Sequence, residues 1–162
     1  MRIHSLFGIK RTVINDAQLK VTGWREWLAL PDLGIEAIKA KVDTGAKTSC
    51  LHAFHIEPFA KNGEDWLRIW VHPIQDDSTE HVCEAPILEQ RAVTDSGGHT
   101  EVRYVIRTRV QVGFGNEAEE FSAEFTLTNR DTMKFRMLLG RQALNGRYLV
   151  NPEASYLQGK PA

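Results

Sequence analysis

Several things are scarce in this chain of 162 residues. There are two cysteines, Cys50 and Cys83. Two cysteines are no disulfide framework, and the plain reading is a pair of small buried residues. Apolar runs last only a few residues, so no segment is long enough to cross a bilayer as a helix. The stretch from Met1 to Val21 lacks the apolar centre of a signal peptide. The expected compartment is therefore the cytoplasm, with no membrane partner. Neither sign of charge dominates: 20 basic residues face 21 acidic ones, for a net charge of −1. That balance argues against a protein built to hold nucleic acid. The Gly-x-x-x-x-Gly-Lys-Ser/Thr phosphate loop is missing, as are His-Glu-x-x-His and Cys-x-x-Cys. The nitrogen and sulfur ligands on offer are Cys50, His52, His55, His72, His81 and Cys83. Their spacing is loose, and the expectation is no metal and no cofactor.

What is present suits an ordinary globular chain. Hydrophobic residues make up 42% and charged residues 25%, which excludes a disordered segment. The length fits one domain over 1–162, with residues 1–20 read as a loose N-terminal arm. The apolar period is close to two almost everywhere. Ile38, Ala40 and Val42 alternate with lysines. Leu67, Ile69 and Val71 alternate with Trp66, Arg68 and Trp70. Val102 to Val112 and Phe121 to Leu127 repeat the pattern. Such alternation marks strands with one buried face. Residues 102–127 read as a hairpin with a longer loop at Gly113 to Glu117. Arg103, Arg107 and Arg109 fall on its outward face, opposite Glu120 and Glu124. The one helical signal is short, Gln142 to Asn145 before Gly146. The fold class is thus all-β, a closed or nearly closed barrel with one short helix near the C-terminus.

The most informative local feature is the run Ile38 to Ser49. An alternating strand delivers Asp43 into a tight turn of Thr44, Gly45 and Ala46. Gly45 permits a sharp backbone turn, and Ala46 lets another element approach closely. Thr44 can bond to a neighbouring loop. Asp-Thr-Gly alone is also an ordinary turn. A second feature adds weight: Phe135 to Leu144 is an apolar strand, then Leu139, Gly140 and Arg141, then a helix-like run.

Together these stretches resemble the retropepsin-like aspartic peptidases. More closely, the chain is similar to the bacterial family historically labelled "ATP-dependent zinc protease". Gly23 to Trp27, Leu30 to Gly34, Ile38 to Ala53, Val105 to Thr108 and Phe125 to Leu144 carry the likeness. It runs from about Trp24 to Val150. The resemblance implies an acid-protease barrel acting as a homodimer on a peptide or protein substrate. Each chain would contribute one catalytic Asp43, and the two carboxylates would share a proton. Thr44 would bind the partner's loop, Gly45 would lie near substrate backbone, and Leu139, Gly140 and Arg141 would support the turn.

The resemblance also implies a flap. The candidate is Arg91 to Glu101, with Ser96, Gly97 and Gly98 at its tip; a plain surface hairpin is the equal alternative. Asp95-Ser96-Gly97 is a second Asp-Ser/Thr-Gly, but it follows Arg91 to Thr94, which reads as no buried strand to carry another lobe. Asp43 and Gly140 stand further apart than in the compact viral enzymes, which places an insertion at about 54–90. Trp66 and Trp70, on one strand face within it, are candidates to cover a groove. Gln142 stands where those enzymes commonly carry Asp or Asn. Ser49 and Cys50 follow the turn closely, and packing or turn bonding is the favoured reading for both. The leading function is aspartic endopeptidase. A non-catalytic peptide-binding module and a narrow-scope peptidase on glutamate-modified substrates are the alternatives.

Overall fold

The computed structural model describes residues 19–75, 77–129 and 134–162. The strands in chain order are β1 (Lys20–Thr22), β2 (Arg25–Leu30), β3 (Ile35–Asp43), β4 (Ser49–His52), β5 (His55–Lys61) and β6 (Glu64–Val71). They continue as β7 (His81–Pro86), β8 (Glu89–Thr94), β9 (Thr100–Val112), β10 (Glu119–Thr128), β11 (Met137–Gly140) and β12 (Tyr148–Val150). A 3-10 turn, Pro31–Leu33, joins β2 to β3, and a short helix, α1 (Arg141–Leu144), the only α-helix among the described residues, follows β11.

The large sheet runs β10-β4-β11-β3-β2-β9-β8, and β10 also pairs with β9. That extra pairing turns six strands into a closed ring, with β8 attached outside β9. Closure removes sheet edges, which suits a barrel of short strands. Period-two patterning fills the ring. Leu28, Ile38, Leu51, Ile106, Phe125, Met137 and Leu139 are fully enclosed. Both cysteines are buried thiols outside any disulfide. Burial pushes the Cys83 thiol up to about 11, as an apolar site does to any group that must acquire charge.

Residues 55–86, inside the expected insertion, form a separate antiparallel sheet ordered β5-β6-β7. Its inner residues Leu67, Ile69, Val71, Cys83 and Ala85 belong to the same core cluster as the barrel. Its outer face carries Trp66 and Trp70, half-buried, with Lys61 over Trp66 and His55 against Trp70. The two tryptophans therefore cover their own sheet, not the cleft described below. Pro58 in β5 lacks an N–H and blunts that edge against further pairing.

Strand β9 corrects the expected facing of its arginines. Its inward set was expected to include Val102, yet Val102 is 68% exposed and Arg103 is buried. The buried side changes at Tyr104–Val105, because the first residues of β9 leave the ring and pair with β8. Arg107 and Arg109 face outward as expected. Arg109 bonds to Asp32 and Glu120, and its guanidinium holds the Asp32 carboxyl below the usual range.

Lys20, the last residue of the expected loose arm, lies in a strand. Strand β1 pairs in parallel with β12, Lys20 opposite Tyr148; the rest of the expected arm, 1–18, lies outside the described residues. Beyond β12 the tail is held by Glu26, a fully buried carboxylate in β2. Its Oε2 accepts from the Gly23 N–H at 2.6 Å and the Leu157 N–H at 3.0 Å, and its Oε1 from the Gln158 N–H at 3.0 Å. Such charge-assisted bonds are strong, and each donor stranded without one is costly. Glu26→Ala should therefore lower unfolding stability by about 3 kcal/mol or more. Denaturant titration measures the loss, and hydrogen exchange should show Leu157 and Gln158 losing protection first.

Candidate active site

Asp43 is the last residue of β3, and its Cα faces that of Gly140 across the parallel β3–β11 pair. Strand alternation puts Val42 in the core and leaves Asp43 half-buried at the barrel rim. The turn then locks itself. Asp43 Oδ1 accepts the Gly45 N–H at 2.9 Å, and the Asp43 carbonyl accepts the Ala46 N–H at 3.3 Å. One carboxylate oxygen is thus fixed by the backbone of its own turn, which sets the orientation of the other.

The stretch after β11 grips this turn from below. The Arg141 N–H donates to the Ala46 carbonyl at 2.7 Å, and the Gln142 N–H to the Lys47 carbonyl at 3.0 Å. The Arg141 guanidinium donates to the Thr44 carbonyl at 2.8 Å. The Gly140 N–H donates to Ser49 Oγ at 2.9 Å, inside the protein. Gly140 is required by space. A Cβ there would lie 2.6 Å from the Thr48 carbonyl carbon and 2.8 Å from its oxygen. Leu139 is buried beneath, fixing β11 in the core.

Above the turn opens a cleft of about 910 Å³. Asp43, Gly45 and Ala46 form part of its floor, and residues 91–96 of β8 and the hairpin tip form a wall. The β8–β9 hairpin contains the flap candidate, and its residues 91–96 line the same cleft as Asp43. Its tip is a capped turn: Asp95 Oδ1 accepts the Gly97 and His99 N–H groups, both at 2.9 Å. Gly98 has φ +83°, a left-handed conformation that glycine adopts without strain. Ser96 lines the cleft, while Gly97 and Gly98 are at the exposed end. Asp95 is therefore the cap of a hairpin and not the end of a barrel strand, as the lack of a second lobe in the sequence implied.

The hairpin is anchored at its base by Arg91. This side chain bonds to Glu89 on its own strand and to Glu124 on β10 at 2.8 Å. It also reaches Thr48, just after the Asp43 turn, at 3.5 Å. Arg103, buried in the cleft wall, lies near Cys50 and Thr126 and pairs with Glu101. Sequence reasoning put Arg91 at the start of the flap candidate but did not single out Lys47 or Arg103 as cleft residues. The signal was there for Lys47, which follows the turn directly; Arg103 arrives through the β8–β9 pairing.

Among the described residues no group of three His, Cys, Asp or Glu is arranged to hold an ion. His55 pairs with Glu57, His72 stacks on Phe54, and His81 bonds to the Leu33 carbonyl. No helix among the described residues is long and apolar enough to cross a membrane.

Residues 21–161 match the family described as RimB-like, retropepsin-like aspartic endopeptidase RimB. The chain belongs to this family. The RimB-like match covers both the Asp43 turn and the Gly140 cradle. Three curated relatives are each named probable alpha-L-glutamate ligase. The protein of Parasynechococcus marenigrum is 50% identical over 86% of this chain and 29% of its own length. That of Shewanella pealeana is 45% identical over 86% and 30%, and that of Desulfotalea psychrophila 44% over 85% and 29%. This chain thus spans under a third of the curated relatives it matches. A solved Legionella pneumophila structure of unknown function shares the fold, with a TM-score of 0.69 and 24% identity over 86% of this chain and 98% of that one.

The cradle sets a measurable cost. Ser49→Ala leaves the buried Gly140 N–H without an acceptor, so stability should fall by about 1–3 kcal/mol. Ser49→Thr retains the hydroxyl and separates this loss from a packing change. Unfolding curves of the two variants check it.

Proposed function

We propose that this chain is an aspartic endopeptidase that works as a homodimer, with one Asp43 from each copy. The observation that carries the reading is the placement of Asp43: a carboxylate at the end of a barrel strand, locked by its own turn, gripped by Gly140–Arg141 and facing a hairpin-walled cleft. Among the described residues only one such turn occurs per chain, so a second copy supplies the second carboxylate. Thr44 is exposed, which leaves its side chain accessible to such a copy.

The chemistry follows from two close carboxylates that share one proton, since like charges that near do not both ionise. The ionised group takes a proton from water as the water oxygen bonds to the peptide carbonyl carbon. The protonated group gives its proton to the carbonyl oxygen. A neutral tetrahedral species results. A carboxyl then protonates the amide nitrogen as the C–N bond breaks, and the second carboxylate takes the hydroxyl proton back. The hairpin over the cleft would exclude water and offer backbone bonds to an extended peptide.

A second, narrower reading concerns substrate. The cleft lining holds Lys47, Arg91, Arg103 and Arg141 with Asp43 and Asp95; Arg91 and Arg103 are already paired with glutamates, which leaves Lys47 and Arg141 beside the Asp43 turn to meet an acidic group. Those two cations suit an acidic peptide. The relatives in which this segment is under a third of the chain are named for alpha-L-glutamate ligation. A peptidase acting on glutamate-extended chains would break the kind of bond such a ligase forms.

Mass spectrometry of a mixed peptide library that includes glutamate-tailed members tests both readings. Wild type should cut, and Asp43→Asn should cut about 10²–10⁴-fold more slowly while still sedimenting at twice the chain mass. Equal cutting by the two proteins overturns the mechanism. Binding without cutting by either points to a peptide-holding module. Chelators should leave the activity intact; loss with EDTA and return with zinc would replace the aspartic mechanism by a metal one.

A further inference from the structure

Beside the active-site cradle lies a second depression of about 170 Å³. It is lined by Ser49, Arg107, Ser122, Glu124, Gln142 and Arg147, among others. Its charge is unusual for this molecule. Arg91, Arg103 and Arg109 each hold a carboxylate. Arg107 and Arg147 form no ion pair among the described residues. Arg107 has a carboxylate directly across the ladder, since its register partner is Glu124. That carboxylate also lines the depression, but its Oε1 is engaged by Arg91 at 2.8 Å. Arg147 sits over Phe121, its guanidinium carbon 4.0 Å from the ring centroid. A guanidinium held over a ring can still present its N–H groups to an anion. Two guanidinium groups outside any ion pair thus line one cavity, with Ser122, Gln142 and the Arg91-bound Glu124 beside them.

We propose that this depression is a binding site for a small oxyanion, a phosphate or a carboxylate. Both present the oxygen geometry that guanidinium forks engage. The site is distinct from the proposed catalytic cleft but shares a wall with its support. Ser49 accepts the Gly140 N–H, and the Gln142 N–H holds the Lys47 carbonyl next to the Asp43 turn. An occupant therefore presses on the backbone that positions the turn.

The test is calorimetric titration of the whole chain with sodium phosphate and, separately, sodium glutamate, at fixed ionic strength in chloride. Wild type should bind at least one of them saturably. Arg107→Ala, an exposed change, should weaken that binding at least about tenfold, the loss of one charged bond pair. Arg107→Lys should recover only part of it, because an ammonium lacks the fork. Asp43→Asn should bind as wild type does, which separates this site from the cleft. Hydrogen exchange on addition of the bound anion should slow at Gly140 and Gln142. Tighter phosphate assigns the site to a phosphorylated ligand, and tighter glutamate to a carboxylate. Absence of saturable binding, or equal binding by wild type and Arg107→Ala, overturns the proposal. Unchanged exchange at Gly140 and Gln142 overturns the coupling to the turn.

Discussion

The parallel pairing of β3 with β11 is the constraint on which the rest depends. It sets Asp43 opposite Gly140 and so places the carboxylate beside the stretch that grips its turn. Parallel strands cannot be joined by a tight hairpin, so the connection between them must be long. Here it contains the three-stranded sheet, the cleft hairpin and two further barrel strands. Everything between Asp43 and Gly140 is, in topological terms, the crossover that this one pairing requires. The absence of a side chain at Gly140 lets the Thr48 backbone come within contact distance. That approach puts Ser49 within reach of the Gly140 N–H. One residue without a Cβ thus lets turn, strand and cradle occupy the same small volume.

Much of this was legible in the residues, and the physical reason differs from element to element. Alternation revealed β3, β6, β9 and β10 because each buries one face over most of its length. The short helix was marked by its glycine stop. The two halves of the cradle stood out because each uses residue types with little conformational substitute. The facing of Arg103 was not legible. Period two tells which residues share a face but not which face is buried, and β9 is long enough to serve two surroundings. Glu26 was equally hidden. In sequence it is one acidic residue between two tryptophans; only the return of the tail from Leu157 gives it three N–H donors. Of the cleft's cations, Lys47 and Arg141 come with the turn and its cradle, whereas Arg103 arrives through the pairing of β8 with β9.

The tail and the active-site support are built by one device: a buried acceptor collecting backbone N–H groups from distant segments. Glu26 does this for residues 23, 157 and 158, and Ser49 for residue 140. Such groups contribute little net free energy when satisfied but cost a full desolvation penalty when one partner is lost. They act less as glue than as a penalty on alternatives. A misplaced tail leaves a buried carboxylate unpaired, and a slipped β11 leaves a buried N–H unpaired. Geometry at the Asp43 turn is enforced by what the wrong arrangement would cost, which suits a site whose chemistry needs a carboxylate held within a few tenths of an ångström.

The arginines extend the same reasoning to charge. Exposed pairs such as Arg109 with Asp32 contribute little to stability, since water screens them. Their pattern is more informative than their strength. Glu124 stands between two arginines and bonds to Arg91, the anchor of the cleft hairpin, so Arg107 goes without. Arg107 and Arg147 stand outside any ion pair among the described residues, and both line the cavity beside Ser49 and Gln142. Glu124 lines it too but is bonded to the hairpin's anchor, and the two guanidinium groups it leaves without an ion pair distinguish that cavity from an ordinary surface dimple.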